Sequence, residues 1–582
     1  MKQIDKFQKY LIKNKIDIFI INRTDEFLNE YIASYAERLN WISNFSGSAG
    51  RAIIFQSKAF LFVDGRYTLQ ASKEVNKKSF KILHLGDYWS FLKTKLNKKK
   101  YIAIDPKHHS INEVENLKKI LIKKKHNLLF LNKNPIDICW ENQPLYPKKM
   151  MFNQDKKYAG KSTKNKIINI QNILLKKHID FHILTSLDSI AWLLNIRGKD
   201  IKYTPLALCY LIIPCKGKVA LFADPKKVTI IKNKLINISN FYPFTGIEKY
   251  IAKLNKKKIM GMDKNETSHY FKDICFKYSL KVKYFDNPCL FLKAQKNKIE
   301  ISGAKNANLR DGVSITKFLF WLKTRMIISK TNEIKAANYL SKLRKKNKLF
   351  YSLSFETISA INDHAAIPHY RVNKKSNKNF KKNCIYLCDS GGQYFDGTTD
   401  ITRTIIVGKA TKEQKDRFTR VLKGHIALAT AEFSFKKNSS SLDYLARKSL
   451  NEIECDYDHG TGHGIGSFLS VHEGPQRIAK LTNNKNNILP GMIVSNEPGY
   501  YKKNEYGIRI ENLLICMIKN NKTLYFENIS WAPIDIDLIE KSLLSSKEKE
   551  WLNHYHKLVR KKMNSYLSSD EKKWLYSVTE PI

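Results

Sequence analysis

Five side chains in the last third of the chain have the types and surroundings of a metal site. They are Asp389, Asp400, His463, Glu497 and Glu511. They lie in the strings LCDSGGQYFDGTTDITRT, HGTGHGIGSF, SNEPGYY and YGIRIENLL. An oxygen-rich set with one imidazole suits two hard or borderline divalent cations. Without cations the crowded acids would repel one another, and some would have to stay protonated. The chemistry that this set offers is hydrolysis at a dinuclear metal centre.

Two predicted hairpins explain how acids distant in sequence reach one place. Asp389 and Asp400 flank GGQYFDG, which predicts strand, turn and strand with the turn at Asp396–Gly397. Glu497 and Glu511 flank PGYYKKNEYGIRI, again strand, loop and strand. The alternative is that these acids are solvated hairpin residues. That alternative is weakened because Glu511 lies in an apolar run, where a lone buried glutamate is costly.

Two further residues belong to the same hypothesis. His463 lies among glycines in GTGHGIG, which let the backbone pass close to an ion. Taken alone, this histidine leaves both a ligand role and a structural role open. Arg509 precedes Glu511 by two residues, so both point to one sheet face. We interpret Arg509 as a partner of a ligand carboxylate, with a surface ion pair as the alternative.

The chain of 582 residues is too long for one hydrophobic core. Helix and strand signals alternate over residues 1–150 and again over 151–297, which predicts two α/β modules of the same plan. Residues 298–540 carry the metal strings, and 541–582 read as a helical extension. The fold class is therefore α/β and α+β. We also predict a helix over LDSIAWLLNIRG closed by Gly198, a helix opened by Thr331, and a capping box at Thr411.

Composition narrows the classes of partner. The hydrophobic fraction of 43% and the aromatic fraction of 12% are those of a globular protein. The formal net charge is +50, and its lysines are scattered through every segment. One interpretation is a polyanion partner, and the other is a lysine-rich composition on solvated faces. Because no nucleic-acid-binding motif accompanies the lysines, the sequence favours the second and predicts no specific nucleic-acid partner.

The nine cysteines include no C-x-x-C pair and mostly lie in apolar runs. This pattern is typical of buried, reduced thiols in a cytoplasmic protein. Cys384 and Cys388 share one face of a predicted strand and are interpreted as packing residues. The first residues read as an amphipathic helix and a strand rather than a signal peptide, and no run has the length of a membrane span. We therefore expect a soluble, cytoplasmic protein without a membrane partner.

Taken together, the strings resemble the Xaa-Pro aminopeptidases (aminopeptidase P) of the pita-bread metallopeptidase family, in their long three-domain cytosolic form. The resemblance extends over the whole chain. EYIASYAERLNWISNFSGSAGRAIIF and VDGRYTLQA are similar to that form's first domain, and LDSIAWLLNIRG to its second. HYRV, DSGGQYFDGTTDITRT, HGTGHGIGSFLSVHEGP, GMIVSNEPGYY and YGIRIEN are similar to its third.

The resemblance implies two N-terminal creatinase-like modules followed by a catalytic pita-bread domain. It implies that the five residues bind two divalent cations, usually manganese, with Glu511 shared between the ions. It implies a homodimer in which Arg66 of the first module reaches a partner's cleft. It implies that three histidines, His369, His459 and His472, contact substrate or move protons. Apart from the resemblance, the proline ring of a substrate needs an apolar slot, and we expect Tyr500 or Tyr501 at its wall.

The expected reaction is hydrolysis of the first peptide bond of peptides with proline second, by a water bridging the two cations. Glu497 would accept the water's proton while ligating, His472 would stabilise the oxyanion, and His459 or a water would protonate the proline nitrogen. Three alternatives are a prolidase restricted to Xaa-Pro dipeptides, a non-catalytic pita-bread binding module, and a metal-free creatinase-like enzyme. The complete ligand set counts against the last two.

Overall fold

The computed structural model describes residues 2–96, 99–480 and 487–582. The chain divides into two compact units, Met1–Lys156 with Lys161–Cys289, and Lys157–Gly160 with Leu290–Ile582. The finer division expected from the sequence, with boundaries near 150, 297 and 540, stays a prediction. No helix among the described residues is long and apolar enough to cross a membrane. All nine cysteines are free thiols, and Cys384 and Cys388 pack in the same apolar cluster, as expected.

The first half of the first unit is a six-stranded sheet covered by helices. The sheet order is β4-β3-β2-β1-β5-β6, and two antiparallel pairings join β1, β2 and β3. Helix α1 buries Ile4, Phe7 and Leu11, which recur at helical spacing. The strands are β1 Ile18–Asn22, β2 Gly50–Phe55, β3 Ala59–Val63, β4 Phe80–His84, β5 Tyr101–Ile104 and β6 Asn127–Phe130. The helices are α1 Gln3–Lys13, α2 Arg38–Ser43, α3 Thr68–Glu74, α4 Tyr88–Lys95, α5 Ile111–Lys123 and α6 Pro135–Cys139.

The second half of this unit repeats the plan. Its sheet order is β12-β11-β10-β8-β13-β14, and each pairing has the same direction as its counterpart in the first sheet. The strands are β7 Phe152–Asn153, β8 Phe181–Leu184, β9 Ile196–Arg197, β10 Tyr210–Pro214, β11 Val219–Ala223, β12 Ser239–Pro243, β13 Ile259–Met262 and β14 Lys281–Tyr284. The helices of this half are α8 Thr163–Lys176, α9 Leu187–Leu194, α10 Thr229–Leu235, α11 Ile247–Ala252 and α12 His269–Lys277. Helix α7, Lys156–Ala159, precedes them in sequence, and its residues from Lys157 on belong to the second unit.

The predicted end of one helix in this half was wrong. Helix α9 ends at Leu194 and not at Gly198, because Asn195 adopts a left-handed conformation with φ of 51°. The residues that follow form β9, which pairs with β7. Gly198 serves a close approach instead, since a Cβ there would lie 2.5 Å from that of Ala207.

The second unit combines long capped helices with antiparallel sheets. The capping box at Thr411 is confirmed at the start of α16, whereas the predicted cap Thr331 was wrong. Asn332 caps α15 because its side chain accepts from the Lys335 amide, and Thr331 bonds back to the Ile327 carbonyl. The helices are α13 Leu290–Ala294, α14 Lys298–Phe320, α15 Glu333–Lys345, α16 Lys412–Ala429, α17 Ser439–Asn451, α18 Ser546–Met563 and α19 Ser569–Ser577.

The strands of this unit form a six-stranded sheet of order β21-β28-β27-β24-β22-β23, two three-stranded sheets, β15-β18-β19 and β16-β17-β20, and the hairpin β25-β26. The predicted turn at Asp396–Gly397 was one residue too late, because Tyr394 pairs with Gly397 and leaves Phe395 and Asp396 in the turn. The strands are β15 Phe350–Leu353, β16 Ile358–Ile361, β17 Cys384–Ser390, β18 Gly392–Tyr394, β19 Gly397–Thr398, β20 Ile401–Val407, β21 Glu432–Ser434, β22 Gly462–Gly464, β23 Glu473–Ile478, β24 Ile493–Asn496, β25 Gly499–Lys502, β26 Tyr506–Arg509, β27 Asn512–Asn520 and β28 Thr523–Asn528.

A buried arginine joins the strands of this unit to the helical extension. Arg403 on β20 donates to the Glu511 carbonyl at 2.7 Å, to Asn512 at 2.9 Å and to the Tyr555 hydroxyl on α18 at 2.8 Å. The same hydroxyl donates to the Ala532 carbonyl at 2.8 Å. Tyr555 is 3% exposed, so these bonds form away from solvent and fix α18 against the strands.

We therefore predict that Tyr555→Phe destabilises the second unit by about 1–3 kcal/mol, because buried partners of the hydroxyl lose a hydrogen bond. The midpoint of its thermal unfolding transition measures this. Tyr566→Phe is the control, since Tyr566 is 50% exposed and its midpoint should stay near that of the wild type. Equal midpoints for all three proteins would contradict the role given to Tyr555.

Candidate metal centre

The first pair of acids is placed by neighbouring strands. β17 and β20 pair antiparallel, with Asp389 opposite Thr402 and Ser390 opposite Ile401. Asp389 lies near the end of β17, and Asp400 immediately precedes β20. Both strands are buried along their whole length, so their backbone ladder fixes the two carboxylates on a dry surface.

The second pair of acids flanks another paired position. β24 and β27 pair with Asn496 opposite Asn512, and Glu497 and Glu511 are the next residues outward from that pair. The Glu511 amide donates to the Thr402 carbonyl at 3.1 Å, which ties this sheet to β20. The two sheets thereby bring both pairs of acids to one edge.

The resulting distances are those of a compact cluster. Donor atoms of Asp400, His463 and Glu511 all lie within 4.8 Å of one another. The His463 Nε2 atom is 3.6 Å from the Asp400 Oδ2 atom and 3.6 Å from the Glu497 Oε1 atom. Asp389 is close enough to influence the pKa of both Asp400 and Glu511. The structure thus brings together all five residues that the sequence singled out.

Burial and mutual repulsion dominate the electrostatics. Burial, followed by the charges of Glu511, Asp389 and Glu497, raises the pKa of Asp400 well above its ordinary value. Burial and the charges of Asp389 and Glu497 raise the pKa of Glu511 in the same way. Glu511 is 1% exposed, so water cannot screen these charges.

The donor set fits divalent cations. The Oδ1 atoms of Asp389 and Asp400 are buried and have no hydrogen-bond partner among the described residues. Two buried carboxylate oxygens of this kind would be costly unless a cation or proton meets them. Carboxylate oxygens and one imidazole nitrogen are ligands for manganese, magnesium or zinc. Arg509 alone cannot neutralise four carboxylates.

His463 is oriented by its own backbone. Its Nδ1 atom lies 3.0 Å from the Gly464 carbonyl oxygen, which can only accept, so Nδ1 carries the proton. This leaves the Nε2 lone pair directed toward Asp400 and Glu497. Ser495 supports the arrangement, because its hydroxyl accepts from the His463 amide at 3.0 Å and lies 3.4 Å from Glu497. A neutral imidazole held this way is a typical metal ligand.

A one-directional chain of hydrogen bonds lies beside the cluster. Arg509 is 2% exposed and donates to the Asp389 carboxylate at 2.6 Å and to the Tyr501 oxygen at 2.6 Å. Because arginine cannot accept, the single Tyr501 proton is left for the His459 Nε2 atom at 2.8 Å. The His459 Nδ1 atom donates to the Gly460 carbonyl at 2.9 Å. In this arrangement the His459 ring donates through Nδ1 and accepts at Nε2.

The pKa values of Arg509 and Tyr501 agree with hydrogen-bond donation from Arg509 to Tyr501 and from Tyr501 to His459. Burial would lower the pKa of Arg509, but Tyr501 and the surrounding carboxylates raise it well above its ordinary value. Burial raises the pKa of Tyr501 by more than Arg509 lowers it, so the hydroxyl keeps its proton near neutral pH.

The remaining candidate residues differ in their surroundings. The His472 ring packs against the His463 ring with centroids 4.3 Å apart. His369 follows Pro368, whose carbonyl accepts from Arg509 at 3.2 Å, so this loop borders the cluster. Arg66 lies in the first unit, where it pairs with Asp64 at 2.6 Å.

Sequence reasoning missed two polar residues that orient the ligands. The Thr402 hydroxyl donates to Glu511 at 2.7 Å and also lies 3.3 Å from the Arg509 Nε atom. Its position two residues after Asp400, on the same strand face, is a signal that could have found it. Ser495 lies two residues before Glu497, so the same two-residue spacing from a candidate ligand could have identified it.

The pKa shifts predict how the stability of the metal-free protein depends on pH. The folded pKa values of Asp400 and Glu511 are raised, so their stabilising contribution is complete below the unfolded value near pH 4 and is lost as pH rises through the folded values. The loss is up to about 1.4 kcal/mol per group and pH unit. Asp400→Asn removes one source of repulsion, so its metal-free unfolding midpoint should fall less steeply with pH.

Added Mn²⁺ should raise the wild-type midpoint, and the gain should grow with pH because ligands must be deprotonated. The unfolding midpoint of Asp400→Asn should rise little when Mn²⁺ is added, because a proposed ligand carboxylate is missing. Glu550→Gln, at an exposed position on α18, is the matched control and should follow the wild type. Identical pH slopes for Asp400→Asn and the wild type, both without metal, would contradict the repulsion.

Comparison with known proteins agrees with this geometry. Residues 303–517 match the model of metallopeptidase family M24, and 522–582 match the C-terminal region of peptidase M24. Residues 3–129 and 142–300 match two models of the creatinase/prolidase N-terminal domain. The predicted fold class is thereby confirmed, with creatinase-type modules preceding a pita-bread domain.

Relatives match over the full chain. A probable Xaa-Pro aminopeptidase P of Laccaria bicolor is 36% identical, covering 100% of this chain and 93% of its own. Xaa-Pro aminopeptidase 1 of Dictyostelium discoideum is 35% identical over 100% of this chain and 96% of its own. The structure of X-prolyl aminopeptidase from Caenorhabditis elegans, described as a cytosolic enzyme with a di-nuclear active site, superimposes with a TM-score of 0.92 at 32% identity, covering 97% of this chain and 95% of that one. The chain therefore belongs to the Xaa-Pro aminopeptidase P family, within metallopeptidase family M24.

Proposed function

We propose that the protein is a metal-dependent aminopeptidase that hydrolyses the bond between the first residue and a following proline. The observation that carries this proposal is the meeting of four carboxylates and one imidazole at a buried sheet edge. Its relatives are named for the same activity, and the C. elegans enzyme has a di-nuclear active site. Neither a binding module nor a metal-free enzyme needs such a set.

Asp389, Asp400, His463, Glu497 and Glu511 are the proposed ligands of two divalent cations. When bound, these cations would supply Lewis acidity and a water acidic enough to lose its proton near neutral pH. The manganese expected from the resemblance is our proposal for the native metal, since oxygen ligands dominate the set.

Glu497 is the proposed acceptor of the proton lost by the attacking water. Its side chain is 18% exposed, whereas that of Asp400 is 6% exposed, so Glu497 faces the open side of the cluster. His472 packs on His463 and is the proposed donor to the developing oxyanion. His369, on the loop that borders Arg509, is the proposed contact for substrate.

Departure of proline requires a proton on its nitrogen, because a tertiary amide has no N–H of its own. In the structure the His459 Nε2 atom accepts from Tyr501 and has no proton to give. We therefore propose that His459 takes up the proton that the attacking water has lost to Glu497, and that it passes this proton to the proline nitrogen. Tyr501, expected as a wall of the proline slot, additionally holds His459 in place through its hydroxyl.

Three further features of the proposal rest on the resemblance. We propose a homodimer in which Arg66 reaches the partner's cleft, and a cytoplasmic location. The free thiols and the cytosolic description of the C. elegans relative support the location. Peptides with proline at the second position are the proposed substrates, without a membrane or specific nucleic-acid partner.

The decisive test is release of the first residue from Xaa-Pro-Pro tripeptides by metal-stripped and Mn²⁺-restored protein. We expect no activity without metal, recovery with Mn²⁺, and a loss of roughly 1,000-fold or more in kcat/KM for Asp400→Asn, because the metals are catalytic. Circular dichroism should show that Asp400→Asn is folded. Glu550→Gln should keep wild-type activity. Cleavage of Xaa-Pro dipeptides alone would replace the proposal with a prolidase.

Tyr501→Phe tests the chain from Arg509 to His459. Loss of the hydroxyl frees His459 to rotate, so kcat/KM should fall by roughly 10–100-fold while metal content stays unchanged. Tyr506→Phe is the matched control, because Tyr506 lies on the same hairpin and its hydroxyl meets Glu413 instead of the cluster. Equal activities of Tyr501→Phe and Tyr506→Phe would count against a catalytic role for the hydrogen bonds from Arg509 through Tyr501 to His459.

A further inference from the structure

A buried acid outside the metal strings holds the loop that carries His369. Glu333, the first residue of α15, is 0% exposed. Its Oε1 atom accepts from the Ile361 amide at 2.8 Å and lies 2.8 Å from the His364 Nδ1 atom. Its Oε2 atom accepts from the Lys378 amide at 2.9 Å and from the Tyr370 hydroxyl at 3.2 Å. One carboxylate therefore binds four donors spread over residues 361–378.

The backbone of Glu333 adds to this connection. Its amide donates to the Lys378 carbonyl at 3.0 Å, and its carbonyl accepts from the Ser359 hydroxyl at 2.8 Å. The position at the start of a 13-residue helix also favours a negative side chain. Glu333 is thus the point at which β16, α15 and both ends of the loop meet.

The loop reaches the metal centre on its other side. The Pro368 carbonyl accepts from Arg509 at 3.2 Å, directly before His369. Gly507 on β26 lets the loop approach closely, because a Cβ there would lie 1.8 Å from the Ala365 carbonyl oxygen. The His364 and Tyr370 rings stack with centroids 4.3 Å apart and bracket this stretch. The loop is therefore clamped between Glu333 and the β25–β26 hairpin.

We propose that Glu333 is a positioning residue that fixes the loop 361–378, so that His369 meets the substrate in a single orientation. The inference rests on the proposed aminopeptidase function and extends it to a residue outside the metal strings. Glutamine at this position keeps the shape but offers one acceptor oxygen, and its NH₂ group would face donors. The donors left unpaired would loosen the loop without removing any proposed metal ligand.

The test compares Glu333→Gln with the wild type in three measurements. We expect amide hydrogen exchange within residues 361–378 to accelerate roughly tenfold, because the Ile361 and Lys378 amides bond to different oxygens of Glu333 and glutamine leaves one of them without an acceptor. The ratio kcat/KM for an Xaa-Pro-Pro tripeptide should fall roughly tenfold or more, while bound metal per chain stays at the wild-type value. Unchanged exchange together with unchanged kcat/KM would overturn the proposal.

A lower kcat/KM of Glu333→Gln could come from reduced stability of the whole protein or from a loosened loop around His369, and a control variant distinguishes the two. Val559→Ala truncates a fully buried core residue of α18 far along the chain from the loop, and it serves as the control with lowered thermal stability. It should keep kcat/KM within about twofold of the wild type at a temperature below its transition. If Val559→Ala loses as much activity as Glu333→Gln, a positioning role is excluded.

A double-mutant cycle asks whether Glu333 acts through His369. If it does, Glu333→Gln should lower kcat/KM much less in a His369→Ala background than in the wild type. Losses that simply multiply would overturn the proposal. If Glu333→Gln fails to fold, Tyr370→Phe removes a single donor, and it should show the same pattern with a loss of roughly two- to fivefold. Wild-type activity and exchange for Tyr370→Phe would then reject the inference.

The proposed function and this inference fail differently. Wild-type protein with Mn²⁺ but no tripeptide activity would overturn the proposed function, and the exchange measurement would still decide whether Glu333 holds the loop. An active wild type with an equally active Glu333→Gln variant would overturn the inference alone.

Discussion

The crowding of like charges at a buried sheet edge is the constraint on which the rest of the second unit depends. Two like charges about 4 Å apart repel by about 4 kcal/mol at an effective dielectric constant of about 20. A whole domain is stable by only about 5–15 kcal/mol, so several such pairs would exceed its margin. Protonation relieves the repulsion, which is why the pKa values of Asp400 and Glu511 are raised, and cations relieve it without protons. The same crowding that destabilises the metal-free fold therefore provides the affinity for metal.

A surface that tolerates this repulsion has to be rigid. Each of the four acids lies within or next to a strand that pairs with a neighbouring strand, β17 with β20 or β24 with β27. Buried polar contacts connect those strands to the helices around them. Arg403 reaches the helical extension through Tyr555, and Asp311 on α14 accepts both from Arg344 on α15 at 2.6 Å and from Tyr394 on β18 at 2.7 Å. Arg403 also donates to the Glu511 carbonyl and not to its carboxylate, so it ties β20 to the segment that carries this acid and leaves the proposed ligand oxygens unused.

The sequence was most informative where chemistry and local pattern coincide. The two hairpins were predicted from turn signals between strand-like runs, and the structure brings the acids at their ends close together. The capping box at Thr411 depends on residues three apart and needs no tertiary information. The predicted turn at Asp396–Gly397 was one residue too late. An Asp-Gly pair indicates a turn nearby, but it does not show whether the glycine lies in the turn or, as here, begins the second strand.

What the sequence could not provide is the direction of hydrogen bonds between distant segments. Arg509 can only donate, so it orders Tyr501 and His459 and at the same time holds the Pro368 carbonyl. The Glu333 carboxylate only accepts, and it binds amides and side chains at both ends of the same loop. The loop with His369 is thus fixed between a pure donor and a pure acceptor, 176 residues apart in sequence (509 − 333 = 176). A guanidinium cannot accept a hydrogen bond, and an ionised carboxylate cannot donate one. Only one arrangement of the loop therefore satisfies both Arg509 and Glu333, and this arrangement also fixes the position of His369.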